Sequence, residues 1–240
     1  MVTGVDPLHI YGYSVSINTN DVNPRSLGQR GRPALEPDRI VGAALELVDE
    51  RGAEALSMRS LAQHLESGTA TLYRHFANRA ELVAKVVDRM LGEVDLDDFS
   101  MAGLTWQQAC ILFAQKRFDV LCRHGHVAPL LIGDIPMGAN AMAHREFMFT
   151  VLLDNGFSPV TAAHVYATLS RYVLGFAIQV SGSATTGDRD GELSAAFQRL
   201  DPSRYPATVA VSEALPVDLS EEFVFGLRLI VVGLENRSWD

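Results

Sequence analysis

The chain has 240 residues, 48% of them hydrophobic, and a formal net charge of −9, enough apolar material for a sizeable core in one large or two modest domains. No apolar run reaches the ~18 residues a membrane helix needs, and the first residues lack the basic, apolar and small-residue order of a signal peptide. A cytoplasmic protein with no membrane partner is expected. Cys110 and Cys122 would lie about 18 Å apart on one helix, too far for a disulfide, so both are read as free thiols. The charge is uneven. Residues 25–92 carry ten basic and nine acidic side chains, whereas residues 93–240 carry ten and eighteen. The acid therefore lies mostly outside the first stretch and does not exclude a polyanionic partner for it.

Residues 1–28 show no sustained helical period and are punctuated by Gly, Pro, Asn and Ser, the pattern of a mostly disordered extension. Gln29-Arg30-Gly31-Arg32-Pro33 follows as a basic arm, suited to lie along phosphates, to enter the minor groove, or to remain a solvated tail. A first helix begins near Pro37, carries Ile40, Ala44, Leu47 and Val48 as its apolar stripe, and stops at Gly52. In a second, Met58, Leu61, Ala62 and Leu65 recur at i, i+3, i+4 and i+7, with Ser57 as N-cap. Glu66-Ser67-Gly68 interrupts, and Gly68 is the residue expected to take a conformation that others resist.

The third helix, Thr69 to Phe76, has a thin apolar side of Ala70, Leu72 and Phe76, and carries Thr69, Thr71, Tyr73, Arg74 and His75 on the other. A helix so short and so rich in donors presents side chains more than it packs. Helix, tight turn and presented helix is the helix-turn-helix arrangement, whose second helix lies in the DNA major groove. Asn78 and Glu81 make a capping-box pattern for a fourth helix through Leu82, Val83, Val86, Val87 and Met90. Gly92 and the acidic Asp95 to Asp98 mark a boundary.

Leu72-Tyr73-Arg74-His75-Phe76 with Asn78-Arg79, preceded by Leu56-Ser57-Met58-Arg59-Ser60-Leu61-Ala62, resembles the tetracycline-repressor family of bacterial transcription regulators over roughly residues 30 to 95. One departure is the turn, where the family usually has Gly and a small apolar residue and this chain has Glu66-Ser67. The resemblance implies DNA contacts at Arg59, Gly68, Thr69, Ala70, Thr71, Tyr73, Arg74, His75 and Arg79, with Arg32 added from the basic arm. Tyr73, His75 and Arg79 are expected mainly on phosphates; Thr69, Thr71 and Arg74 suit base edges.

Beyond Thr105 the pattern is again helical: Trp106 to His124, a short apolar piece from His126 to Gly133, Ala139 to Asn155 closed by Gly156, and Ser158-Pro159 to about Val180. A Gly/Ser/Thr/Asp-rich stretch and Pro-punctuated sequence to Pro216 are expected to be poorly ordered. Ser220 is expected to cap the last helix. The class is thus all-α. Residues 1–28 form an extension, 29–92 a three-helix helix-turn-helix DNA-binding domain, and 93–240 a helical ligand-binding and dimerisation domain. Asn155-Gly156-Phe157-Ser158, Leu174-Gly175 and the closing Phe225-Gly226-Leu227 to Gly233-Leu234-Glu235 are similar to the ligand-binding half of the tetracycline-repressor subclass.

That resemblance implies a small-molecule pocket, for which Trp106, Phe118, Ile132, Met137, Met148 and Tyr166 supply apolar surface and His144, Arg145 and Ser170 polar groups. The position of the subclass histidine that binds the drug's magnesium falls on Ile132, and that of the glutamine that touches the drug falls on Met148. Isoleucine cannot ligate a metal and methionine is a poor ligand for a hard cation. A larger, more apolar effector is expected, with no metal and no cofactor. His124-Gly125-His126 reads as a helix-end loop rather than a metal site.

No catalytic motif of the G-x-S-x-G or H-E-x-x-H kind is present, so no catalytic residue is assigned. The expected function is a ligand-responsive homodimeric repressor on a palindromic double-stranded operator. The alternatives are an activator, a regulator without a ligand, or an enzyme or binding protein with a vestigial reading head.

Overall fold

The computed structural model describes residues 35–96, 103–133, 135–183 and 187–235. The extension 1–28 and Arg32 of the basic arm lie outside them. All regular structure among the described residues is helical.

Helix α1 (Pro37–Arg51) has Pro37 in its first turn and ends at Gly52, whose N–H closes the last turn on the Val48 carbonyl at 2.7 Å and whose φ of +85° then turns the chain out of the helix. Ile40, Ala44, Leu47 and Val48 are fully buried. Ser57 caps α2 (Met58–His64) in a capping box closed by Ser60: the Ser60 N–H donates to Ser57 Oγ at 3.0 Å, and the Ser57 N–H donates to Ser60 Oγ at 2.9 Å.

The turn departs from expectation. Glu66 takes the left-handed conformation, φ +47°, while Gly68 is extended (φ −86°, ψ 146°) and serves as N-cap of α3 (Thr69–Tyr73). The absence of a Cβ is therefore not what Gly68 supplies to the backbone here. Helix α3 also stops three residues short of Phe76, and closing turns carry the chain on, with the Phe76 N–H donating to the Leu72 carbonyl. Helix α4 (Arg79–Leu91) starts as expected on the Asn78 side chain, which accepts from the Glu81 N–H at 2.9 Å. Glu81 reaches back one residue further than a standard box, to the Ala77 N–H at 2.7 Å.

In the second half α5 (Trp106–Arg123) and α7 (Pro159–Ser183) form the central pair, flanked by α6 (Ala139–Asp154) and by α10 (Leu219–Glu235). Phe118 of α5 stacks on Phe223 of α10 at 4.0 Å between ring centroids, and the Tyr172 hydroxyl of α7 donates to the Phe223 carbonyl at 2.8 Å. The apolar piece after His126 is only a 3-10 turn, Ala128–Leu131. The stretch expected to be poorly ordered contains α8 (Gly187–Gln198) and α9 (Pro206–Ala210). Helix α8 packs on α9 and on the 3-10 turn Ser212–Ala214 rather than on the main core, and Leu193 stays exposed; with so little apolar stripe its helicity was not written in its hydrophobic period. The last helix is capped by Asp218, not Ser220: Asp218 Oδ1 accepts from the Ser220 and Glu221 N–H groups at 2.9 and 3.0 Å.

Candidate functional site

Helix α3 is held from below by two side chains. Leu72 is fully buried and Phe76 nearly so, and they join Leu61 and Leu82 in one apolar cluster. With these two fixed, the 3.6-residue period turns Thr69, Ala70, Tyr73 and Arg74 outward, all exposed, with Thr71 and His75 half-buried at the margin. Arg59 is exposed on α2, and Gly68 opens the face. The described residues assigned to DNA are thus all exposed or half-buried, but Arg79 is also engaged with the protein itself. Arg79 points at the backbone: its Nε donates to the Leu56 carbonyl at 2.6 Å and one terminal nitrogen to the Ala53 carbonyl at 3.2 Å. It ties the start of α4 to the connection between α1 and α2.

The second half contains a cavity of about 520 Å³ between α4, α5, α6, α7 and the loop after the 3-10 turn. Its apolar wall includes Leu91, Leu121, Leu131, Pro136 and Leu174. Four of the nine residues assigned to a ligand line it: Ile132, Arg145, Tyr166 and Ser170. The other five are elsewhere. Trp106 packs edge-on against Phe157, and Phe118 is stacked on Phe223. Met148 is fully buried in the core, and Met137 is 71% exposed. His144 is buried edge-on to Phe113 at 5.5 Å. Its pKa is pushed down to about 4, first by burial and then by the neighbouring Arg117 charge.

Arg117 is the residue the sequence reading missed. It lies on α5, 7% exposed, with its guanidinium 5.5 Å from the centre of the Phe113 ring. One terminal nitrogen donates to the Tyr166 hydroxyl at 3.3 Å and more weakly to Ser170 Oγ at 3.5 Å, while Nε has no partner. Burial lowers its pKa from the ordinary arginine value. The signal was present: Phe113, Arg117 and Leu121 lie at i, i+4 and i+8, so a cation stands on a core-facing stripe. Arg145 lies over the Tyr166 ring at 5.7 Å and donates to the Pro136 carbonyl at 2.6 Å.

Several contacts join the head to this half. The first is at α4, where Asp88 Oδ1 accepts from the Ala141 N–H at 3.0 Å and its carbonyl from Asn140 Nδ2 at 2.9 Å. A Cβ at Gly138 would stand 2.1 Å from the Asp88 carboxyl carbon, so only glycine allows this approach. The second is Leu91, at the end of α4, which forms part of the cavity wall. The third is His124, whose Nδ1 is 2.7 Å from Asp49 Oδ2 of α1 and whose Nε2 is 3.0 Å from Glu93 Oε1. His126 Nδ1 adds a bond to the Asp49 carbonyl at 2.8 Å. Among the described residues no group of three or more His, Cys, Asp and Glu could hold a metal, and no helix is long and apolar enough to cross a membrane.

A presented helix on a three-helix head, joined by one long helix to a cavity, defines a ligand-binding helix-turn-helix regulator. Residues 40–86 match the model for bacterial regulatory proteins of the tetR family, and residues 101–238 that for the tetracyclin repressor-like C-terminal domain. The chain belongs to this family: it is a ligand-responsive transcriptional repressor and not an enzyme. It is 31% identical to an HTH-type transcriptional regulator of Saccharopolyspora erythraea over 85% of this chain and 86% of that one. To the class A tetracycline repressor from transposon 1721 in Escherichia coli it is 30% identical, over 85% and 92%. Among solved structures, ActR of Streptomyces coelicolor in complex with actinorhodin superposes with a TM-score of 0.78 at 30% identity, covering 85% of this chain and 97% of that one.

Proposed function

We propose that the chain acts as a homodimer on a palindromic operator, and that a small effector with a largely apolar body, bound without magnesium, releases it. The observation that carries this reading is Leu91. The last residue of the helix that leaves the reading head is also part of the cavity wall, so filling the cavity bears directly on α4. Any such effector must favour one head spacing over the other by differential contact. The apolar residues lining the cavity, and Ile132 where the subclass has its metal-binding histidine, support a metal-free ligand. The similar ActR chain was solved with actinorhodin, a precedent for a small-molecule occupant.

The dimer reading rests on α10. Phe225, Leu229 and Val232 recur at i, i+4 and i+7 and are 65%, 58% and 53% exposed, an apolar stripe that a second copy would cover across a two-fold axis. Two reading heads would then face half-sites one helical turn or a multiple apart.

The test is release of an operator fragment, titrated with candidate antibiotics and metabolites with and without EDTA. Release that is insensitive to EDTA supports the reading, and release by tetracycline that vanishes with EDTA overturns it. Sedimentation that finds only monomer at micromolar concentration overturns the dimer.

A further inference from the structure

Among the described residues, a cation in the cavity wall, Arg117, meets no carboxylate. Arg117 is more than nine-tenths buried; among the described residues one terminal nitrogen meets two neutral hydroxyls at long distance, Tyr166 and Ser170, and Nε is unpartnered. Arginine has no acceptor of its own and does not escape the cost of burial by losing its proton. Two further arginines, Arg145 and Arg171, line the same cavity, and among the described residues no aspartate or glutamate does. This positive lining stands in a chain of net charge −9, so it does not follow from composition. A buried guanidinium left this way is unfavourable unless something supplies the missing acceptors. The space beside it, about 520 Å³, is of the size that holds a drug-sized ligand.

We infer that the effector is an amphipathic organic acid whose anionic group is received by Arg117 while its apolar body lies against Leu91, Leu121 and Leu174. This rests on the cavity being the effector site. It adds a charge requirement that an apolar wall alone would not impose. A planar fork of donors suits a carboxylate or a comparable delocalised oxyanion, which can take two parallel bonds. The site then discriminates by a buried hydrogen-bonding group, which rejects a ligand lacking the partner far more strongly than an apolar wall does.

The experiment uses two fluorescent probes of one shape, anthracene-2-carboxylate and anthracene-2-carboxamide, titrated into the full-length chain. The acid should bind about 10- to 100-fold more tightly than the amide, the range of a charge-assisted bond. In Arg117→Met that gap should close while affinity for the amide holds. The melting temperature of the unliganded variant should not fall, because an unpaired buried charge has been exchanged for an apolar side chain of similar reach. Ser170→Trp, which fills the cavity, should lose both probes. Equal affinity of the parent for acid and amide overturns the charge requirement and leaves the apolar pocket standing; this needs no variant to fold. A preference that survives Arg117→Met overturns the assignment to Arg117. Failure of the parent to bind either probe overturns the cavity reading as well.

Discussion

In the reading head the presented helix is packed from below and its polar side chains face outward. Leu72 is fully buried beneath α3, and Thr69, Ala70, Tyr73 and Arg74 stand in solvent. In the other half the order is reversed: an open-sided cavity of about 520 Å³ is left between α4, α5, α6, α7 and the loop after the 3-10 turn, and a cation, Arg117, is buried beside it. The two regions answer different demands. Recognition of a double helix needs a rigid short helix whose chemistry faces outward, so packing goes to holding the backbone still. A switch needs a part of the core whose best packing is completed by something else. The head should therefore be sensitive to loss of volume and the cavity half to gain of it.

The largest effect should come from breaking the packed side. Leu72→Ala removes the main anchor of a five-residue helix and should cost about 2–5 kcal/mol, the range for a fully buried leucine. Urea unfolding and an operator shift assay should both register it. Stability unchanged within experimental error would mean that α3 is not held by Leu72, and the contrast with the cavity would fail.

The next effect sharpens the contrast from the cavity half. His144 has its pKa pushed down to about 4, against about 6.5 in the unfolded chain. Between these values the unfolded state holds more protons, so stability rises with pH: it is complete above about 6.5 and is lost as pH falls towards 4. The amount is about 3 kcal/mol as an order of magnitude. His144→Leu should flatten this part of the profile. Urea melts at pH 7 and pH 4.5 decide it, because carboxylate titration is common to parent and variant and cancels between them. Equal slopes in the two proteins would show that His144 does not carry the acid sensitivity.

Much of the head could be read from the chain because its devices are local. Pro37, Gly52, Ser57 and Asn78 each act on backbone groups within four residues, and each is where the helix ends require it. The left-handed turn residue was misassigned to Gly68 because a glycine is the usual choice; the tertiary packing of α2 against α3 puts Glu66 there instead. In the second half, helix positions were legible from period and caps, but a cavity is a place where atoms are absent and has no period. Arg117 shows the limit. Its place on a buried stripe could be read from Phe113 and Leu121, yet Tyr166 and Ser170, which face it, lie 49 and 53 residues away along the chain. Met148 and Trp106 illustrate the converse, apolar residues that serve ordinary core packing.

A third prediction separates two arginines of the head. Arg74 is exposed on α3, so Arg74→Ala should leave the melting temperature alone while costing about 1–3 kcal/mol at one base position of the operator. Arg79 uses donors on the Leu56 and Ala53 carbonyls. Arg79→Ala should therefore lower thermal stability, by about 1–3 kcal/mol for charge-assisted bonds to backbone, in addition to any uniform loss on phosphates. Measuring melting and base-resolved binding on both variants would reverse the assignment if Arg74 proved the destabilising one.

The smallest effect lies where the two regions meet. His124 bridges Asp49 of α1 and Glu93 just beyond α4, with one ring nitrogen at hydrogen-bond distance from each carboxylate. The ring is thus shared between the head and the end of α5, beside the Asp88 contact that fixes α4 to α6. Partly exposed contacts of this kind contribute about 1 kcal/mol or less, so His124→Ala should barely change the melting temperature. Coupling is another matter, because it depends on how differently a contact is made in the two states and not on its absolute strength. If the bridge holds the head in its operator-binding arrangement, its loss should weaken operator binding about fivefold without effector and leave the effector-bound affinity nearly the same, narrowing the induction ratio by that factor. An operator titration at saturating and zero effector gives both numbers. A loss of operator affinity equal in the two conditions would mean that His124 supports the head in either state and takes no part in the switch.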